Sequence, residues 1–257
     1  MDLFRIAGIS VAITMLIYVS LLLFSLTVNV SSEDMLSLLS SQRFRSALFV
    51  SALTALFASL LSMSVSVPLG YMLSRGLIPG KLLVDSASLV LLALPPISIG
   101  ILILATLSLE PLREVERGIG ILYNLPGIIL AQFTVEIPVV LRLTREVFDY
   151  VERETEDIFM TMGATRLRTF IDAVLPAALP GLIATFIVAY FRAFGEFGAT
   201  LIVSGQIPYR TETLPILMLK EFEGSLSRGL SIVLVTVIIT LAAVTIVMYF
   251  REKSLRV

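Results

Sequence analysis

Charged side chains interrupt the apolar segments of this chain at a few positions, and these are the first residues whose chemistry needs an explanation. Arg192 and Glu196 stand four residues apart in one hydrophobic stretch, a spacing at which opposite charges meet on a helix. Glu136 lies in a second apolar stretch, and Asp85 lies near the start of a third. Ionisable groups at membrane depth are typical of ion pathways, proton relays and buried ion pairs.

Catalytic chemistry has few residues to draw on in this sequence. The 257 residues include no Cys and no His, which excludes a thiolate nucleophile, an imidazole base and a His/Cys metal site. The net charge of -1 gives no indication of nucleic-acid binding. We therefore expect no catalytic residue, no metal site and no nucleic-acid partner. An intramembrane enzyme or proton-coupled carrier that uses Glu136, Asp85 or Glu196 is the alternative from a different class.

Membrane helices are the elements that must position these charges. The chain is 57% hydrophobic and 15% charged, whereas soluble domains are roughly 45–50% apolar and about 25% charged. A spanning helix needs about 20 predominantly apolar residues. The stretches that meet or approach this length are Ile6 to Val28, Ser46 to Leu73, Leu82 to Leu107, Gly127 to Leu141, Ala177 to Val203 and Leu230 to Phe250. We expect an all-α integral membrane protein with about six spans and a single domain over residues 1–257.

The distribution of Lys and Arg predicts the orientation of these spans. More of the 19 basic residues lie in segments that share a side with both chain ends than in the other segments. Because basic residues mark cytoplasmic loops, both termini are expected in the cytoplasm. The cytoplasmic connection 142–176 has apolar residues at helical spacing among charged ones, which predicts a pair of short helices outside the bilayer. A solvated amphipathic connection is the simpler interpretation of the same pattern.

A longer pattern within this connection favours a more specific function. From Asp157 to Pro176 it reads D-I-F-M-T-M-G-A-T-R-L-R-T-F-I-D-A-V-L-P, which resembles the E-A-A-x-x-x-G-x9-I-x-L-P signature of ABC importer permeases. The match rests on the acid, on Gly163, on the spacing and on the final Leu-Pro. Ile158 and Phe159 replace the two alanines, and Ala173 replaces the isoleucine.

The resemblance implies that this connection projects as a knob, residues 151–176, into a groove of a separate ATPase subunit. A glycine tolerates positive φ and close backbone approach, so two short helices can break at Gly163. Pro176 begins span five, so motion of the knob would pass into that span. The residues assigned to ATPase coupling are Asp157, Gly163, Ala164, Arg166, Leu175 and Pro176. ATP and Mg would be bound by the partner, with no cofactor in this chain.

Two further segments resemble the permeases of molybdate and tungstate importers. Span five contains R-A-F-G-E-F-G-A-T-L-I-V-S-G from Arg192 to Gly205, and span three contains L-P-P-I-S-I-G from Leu94 to Gly100. Glycines and prolines loosen or break helices, as transport pathways require. The residues expected at the gate or pathway are Pro95, Pro96, Ser98, Arg192, Gly195, Glu196, Phe197, Gly198, Thr200 and Ser204. A structural ion pair between Arg192 and Glu196 is an equally open interpretation.

The resemblance covers about residues 43–250 and implies both the assembly and the activity. It implies the permease subunit of an ATP-driven importer for molybdate or tungstate in a prokaryotic plasma membrane. The expected partners are a second copy of the chain, two ABC ATPase subunits, an external oxyanion-binding protein and the lipid bilayer. Hydroxyl donors such as Ser98, Thr200 and Ser204 would hold the anion weakly enough to release it. A sulfate or thiosulfate permease is the main alternative, because those permeases share the loop and a similar glycine-bracketed acid.

Overall fold

The computed structural model describes residues 3–254, and within them the side chains of residues 5–245. The described part of the chain is helical, with no strand. Its α-helices are α1 (Leu3–Asn29), α2 (Ser32–Ser40), α3 (Gln42–Ser74), α4 (Lys81–Ala93), α5 (Pro96–Leu107), α6 (Leu112–Ile119), α7 (Leu125–Asp149), α8 (Arg153–Thr161), α9 (Arg166–Thr169), α10 (Leu175–Phe194), α11 (Gly198–Val203), α12 (Leu214–Gly224) and α13 (Leu226–Ser254). A π-helical segment, Phe170–Val174, joins α9 to α10. The expected cytoplasmic termini, residues 1–2 and 255–257, lie outside the described residues.

Five described segments are long and apolar enough to cross a membrane, and a sixth span follows if α4 and α5 cross it together. The five are α1, α3, α7, the continuous rod from α9 through α10, and α13. The axes of α4 and α5 differ by 112°. The prediction of an all-helical membrane protein with about six spans is confirmed.

The third predicted span is broken rather than straight. Leu94 and Pro95 have extended backbone, each with ψ 137°, and Pro96 is the first residue of α5. A residue that precedes proline avoids the α conformation, and proline itself has no N–H to continue a helix. The kink predicted from the two prolines is therefore confirmed as a complete break, and the prediction of one helix from Leu82 to Leu107 is wrong.

Two other predicted boundaries are also wrong. The stretch Ala177 to Val203 forms two helices, because α10 ends at Phe194 and α11 begins at Gly198. The fourth span does not stop at Leu141 but continues as α7 to Asp149. Charged side chains at the end of a membrane helix reach water without ending the helix, so the apolar stretch underestimates its length.

The parallel pair α3 and α7 forms the centre of the bundle. The Ser62 hydroxyl donates to Glu136 Oε1 at 2.6 Å, and further along a Cβ atom at Gly70 would lie 3.0 Å from Thr144 Cγ2. The buried face of α3 consists largely of Ala, Ser and Gly. Small side chains let membrane helices approach closely and gain packing contacts. The two helices thus form the base on which α4, α5, α10, α11 and α12 pack.

Candidate functional site

The predicted coupling segment forms two short helices separated by Gly163. Helix α8 ends at Thr161, Gly163 has φ 88°, and α9 begins after Thr165, whose hydroxyl caps it by accepting from Arg168 N at 3.3 Å. This φ lies in the left-handed region, where a side chain is strained. The predicted helix pair with its break at Gly163 is confirmed.

The tip of this helix pair exposes apolar side chains. Met162 is 81% exposed and Leu167 is 69% exposed, and Ile158 on α8 is exposed as well. Asp157 and Arg166 of the predicted coupling set are also exposed, while Ala164 is half-buried. Large apolar side chains grouped at an exposed tip are characteristic of a surface that binds another protein. We call residues 157–167 the coupling tip.

A buried ion pair that the sequence did not indicate joins the base of this helix pair to α3. Arg75 Nη2 lies 2.5 Å from Glu156 Oε1, and the two side chains are only 7% and 9% exposed. The guanidinium also donates to the carbonyl oxygens of Phe148 and Val151, at 2.9 and 3.0 Å. The Tyr71 hydroxyl donates to Glu156 Oε2 at 2.9 Å. This Arg75 cluster (Tyr71, Arg75, Glu156) fastens α8 to the ends of α3 and α7.

Aromatic packing next to the Arg75 cluster adds the third membrane helix to the connection. The ring centroids of Tyr71 and Phe148 lie 5.6 Å apart, and those of Tyr71 and Phe170 lie 4.7 Å apart. Phe170 begins the π-helical segment that continues into α10. Leu175 is half-buried and Pro176 is exposed at the start of α10. The coupling helices are thus held at their base by α3, α7 and α10 together.

Glu196 lies in the break between α10 and α11 and caps α11. Its Oε1 accepts from the backbone N–H of Ala199 at 2.8 Å, and its Oε2 accepts from that of Thr200 at 2.9 Å. These are N–H groups that a helix start leaves without partners. Arg192 is exposed and forms no ion pair with Glu196 in the described part of the chain. The interpretation of these two residues as a buried ion pair is therefore wrong.

The proline segment of span three and the glycine segment after α10 meet directly. A Cβ atom at Gly198 would lie 2.9 Å from Ile97 N, and one at Gly100 would lie 2.8 Å from Ala199 O. Such backbone approach requires glycine on both sides. Pro95 and Pro96 are exposed beside this contact. The structure thus brings together two segments that the sequence predicted separately as pathway elements, and we call this contact of α5 with α11 the α5–α11 contact.

The proposed anion-binding hydroxyls have different surroundings. Thr200 is buried and its hydroxyl donates to the carbonyl oxygen of Phe197 at 2.9 Å. Ser204 is buried and its oxygen accepts from Gln206 N at 3.2 Å. Ser98 is half-buried at the start of α5. Thr200 and Ser204 support the local backbone, and their role as anion donors stays a prediction, as does that of Ser98.

A second buried carboxylate holds the opposite end of α3. Glu212 is 1% exposed and accepts from Arg43 Nε and Nη2, both at 2.7 Å, and from Lys220 Nζ at 2.8 Å. Burial raises the pKa of Glu212, but the hydrogen bonds from Arg43 and Lys220 outweigh that effect and leave it below its ordinary value. The carboxylate links α3, the 204–213 loop and α12. Nothing in the sequence spacing indicated this link.

The three acids considered for a proton-coupled carrier lie in separate environments. Glu136 is buried on α7 and its Oε2 has no hydrogen-bond partner among the described residues. Asp85 on α4 accepts from Arg145 at 3.1 Å, and Glu196 caps α11. The residues that the structure describes contain no cluster of three acids that could hold a metal ion. The structure therefore does not bring these acids together as a relay.

Comparison with known sequences identifies a transport family. The family described as "Binding-protein-dependent transport system inner membrane component" matches residues 66–253. That range contains the coupling tip, the Arg75 cluster and the α5–α11 contact. The match therefore includes every segment at which the coupling and pathway residues were predicted.

Individual relatives are named as permeases for oxyanions. The molybdenum transport system permease protein ModB of Escherichia coli (strain K12) is 34% identical over 65% of this chain and 76% of that protein. The molybdate/tungstate transport system permease protein WtpB of Pyrococcus abyssi is 35% identical over 73% of this chain and 71% of that protein. The probable sulfate transport system permease protein cysT of Chlorokybus atmophyticus is 32% identical over 68% of this chain and 62% of that protein.

Comparison with solved structures identifies a protein with a similar fold. A bacterial ABC transporter involved in the import of the acidic polysaccharide alginate superimposes with a TM-score of 0.63 over 96% of both chains. The sequences are 17% identical, so the likeness shows the fold alone.

Proposed function

Because the chain belongs to the family of binding-protein-dependent transport system inner membrane components, we propose that it is the permease subunit of an ATP-driven ABC importer for molybdate or tungstate. The assignment of the substrate rests on two relatives: one is named for molybdenum transport and is 34% identical, and the other is named for molybdate/tungstate transport and is 35% identical. The structural observation that carries the coupling mechanism is the exposed helix pair α8 and α9, joined at its base to three membrane helices.

Binding of the ATPase subunit is the first step of this proposal. The coupling tip offers exposed Ile158, Met162 and Leu167, with Asp157 and Arg166 as charged neighbours. An apolar centre with a charged rim is the usual composition of a protein interface. ATP and Mg bind in the partner, and this chain contributes no cofactor and no catalytic residue.

Transmission of the motion is the second step. The buried Arg75–Glu156 pair ties α8 to α3, and Phe148 and Phe170 pack the same region against α7 and α10. A packed and ion-paired base does not deform gradually, so displacement of the tip moves these helices together. The coupling therefore reaches three spans and not span five alone.

Opening of the pathway is the third step. The break at 195–197 separates α10 from α11, and Gly198 seats α11 against Ile97 of α5. Short helices joined by irregular backbone are the elements that transporters rearrange around a substrate site. We propose that the α5–α11 contact belongs to the gate and that Glu196 holds the start of α11 in place during the movement.

The subunits that surround the chain are inferred from the transport cycle. We propose a homodimer of this chain with two ABC ATPase subunits on its cytoplasmic side and an oxyanion-binding protein outside. The chain would lie in the plasma membrane of a prokaryote, with both termini in the cytoplasm. The binding protein delivers the anion, and closure of the ATPases exchanges which end of the pathway is open.

A sulfate permease is the second candidate, because the cysT protein of Chlorokybus atmophyticus is 32% identical to the chain. Competition in a reconstituted system separates the two. Liposomes that contain the chain with its ATPase and binding protein are loaded with ATP, and tungstate uptake is measured with excess sulfate outside. Uptake that sulfate leaves unchanged supports the molybdate/tungstate permease, whereas uptake of labelled sulfate that tungstate does not inhibit would replace it by the sulfate permease.

A further inference from the structure

Helix α6 has an amphipathic sequence that the transport mechanism does not use. It reads L-R-E-V-E-R-G-I, with Leu112, Val115 and Ile119 at the i, i+3 and i+7 positions. This spacing places the three apolar side chains on one face of a helix, and Arg113 and Arg117 on another. A short helix with its apolar side chains on one face normally buries that face against another surface.

The described part of the protein does not cover this face. Val115 is 47% exposed, Ile119 is 62% exposed, and Leu112 is exposed beside them. Leu109, in the turn before α6, is 62% exposed. The apolar face of α6 is therefore only partly covered by the described part of the bundle.

The position of α6 in the chain limits what can cover it. The helix connects α5 with α7, so both of its ends are tied to membrane segments. Ile101 and Leu102 on α5 are exposed apolar residues, and Leu109 continues this exposed series to Leu112. Because α4 and α5 together form a candidate span, an apolar face that continues the exposed surface of α5 past the end of that span lies at the boundary between acyl chains and headgroups.

A protein partner fits this face poorly. A stable interface buries about 800 Å² on each partner, whereas three side chains on a two-turn helix provide a small area. The opposite face carries charges of both signs, and Arg113 on it pairs with Glu110 in the turn before the helix, which suits contact with water and zwitterionic headgroups. We propose that α6 is an interfacial helix, with Leu112, Val115 and Ile119 inserted into the bilayer surface, in the outer leaflet given the orientation proposed above, and its charged face in water. It would anchor the end of α5 opposite the α5–α11 contact.

The absence of cysteine from the chain makes a direct test possible. Val115→Cys and Ile119→Cys place a single thiol on the apolar face, and Arg113→Cys and Arg117→Cys are matched controls on the charged face. Each full-length variant is labelled with a nitrobenzoxadiazole fluorophore in nanodiscs of phosphatidylcholine and phosphatidylglycerol. Only variants that elute as the unlabelled protein does are compared. Quenching is measured with a lipid that carries a nitroxide at acyl carbon 5 and with aqueous iodide.

The two faces should respond in opposite ways. Labels at residues 115 and 119 should be quenched by the nitroxide lipid at least about twofold more than labels at 113 and 117, with the reverse order for iodide. Equal iodide quenching at all four positions would overturn the proposal, because α6 would then stand in water. Protection of residues 115 and 119 from both quenchers would also overturn it, because a second protein copy would then cover the face. Neither result depends on which anion is transported.

Discussion

Arg75, the residue after α3, forms a buried ion pair with Glu156 on α8, with 2.5 Å between guanidinium nitrogen and carboxylate oxygen. The same guanidinium donates hydrogen bonds to two carbonyl oxygens near the end of α7. A charge-assisted network of this kind holds three elements in one arrangement. Since α8 leads directly to the coupling tip, the Arg75 cluster is the structural basis on which the proposed coupling depends.

Removal of the Arg75 guanidinium should destabilise the protein and uncouple it. Arg75→Ala leaves Glu156 buried without its partner, which costs about 3–5 kcal/mol. The apparent midpoint of thermal unfolding should fall, and in the reconstituted complex less tungstate should be transported for each ATP hydrolysed. Arg142→Ala is the control, because Arg142 forms an exposed i,i+4 pair with Glu146 on α7 that is worth only about 0.3–0.5 kcal/mol. Equal effects of the two substitutions would contradict a coupling role for the Arg75 cluster.

Substitution of Gly163 should weaken the binding of the ATPase subunit. An alanine at φ 88° is strained by about 1–3 kcal/mol. Because this strain disfavours the arrangement of α8 and α9 that would bind, the affinity for the ATPase subunit should decrease by about 5- to 150-fold. Gly224→Ala is the control, since Gly224 also faces open space but has no positive φ. The measurement is the dissociation constant of the purified ATPase subunit for the permease in detergent. Unchanged affinity in Gly163→Ala would show that the break is not part of the interface.

Two glycines three residues apart should differ in their tolerance of a methyl group. Gly198→Ala places a Cβ atom 2.9 Å from Ile97 N, so backbone must move, whereas Gly195→Ala places one 3.4 Å from Phe191 O. Overpacking of this kind costs typically about 1–3 kcal/mol. Gly198→Ala should therefore lower both the unfolding midpoint and tungstate uptake. Gly195→Ala should have little effect on either quantity. The reverse order would contradict the close α5–α11 contact.

Acid should weaken the link that Glu212 makes between α3 and α12. The pKa of Glu212 lies below its ordinary value of 4.5 because Arg43 and Lys220 stabilise the carboxylate against the effect of burial. A lowered pKa contributes stability that is present above pH 4.5 and is lost as the pH falls through the lowered value. The difference in unfolding midpoint between the wild-type protein and Glu212→Gln should be constant above about pH 5.5 and decrease below pH 4.5. A difference that grows with acidity would contradict the sign of this shift.

Apolar length and composition were sufficient to predict the membrane class and the approximate number of spans, because the bilayer requires about 20 apolar residues for each crossing. The Pro95-Pro96 pair marked the break in span three, since proline acts locally. The angle between α4 and α5 was not predictable, because α4 packs on α7 and α5 packs on α11, and local sequence shows neither contact.

The contacts that define the site depend on residues far apart in the chain. Arg75 and Glu156 are separated by 81 residues, and Arg43 and Glu212 by 169, so no local spacing indicates either pair. For Glu196, by contrast, local spacing indicated a contact that the structure does not form. Its distance of four residues from Arg192 suggested a helical pair, but the helix ends between them and the carboxylate turns to the next helix start.

ATP dependence of tungstate uptake is the measurement that tests the central proposal most directly. Liposomes that contain the chain, its ATPase subunit and its binding protein are loaded with Mg and either ATP or ADP, and labelled tungstate is added outside. Accumulation with ATP and none with ADP is the predicted result, with Gly163→Ala reduced and Gly224→Ala at the wild-type rate. Equal accumulation with ADP, or in liposomes without the ATPase subunit, would contradict the assignment of this chain as the permease of an ABC importer.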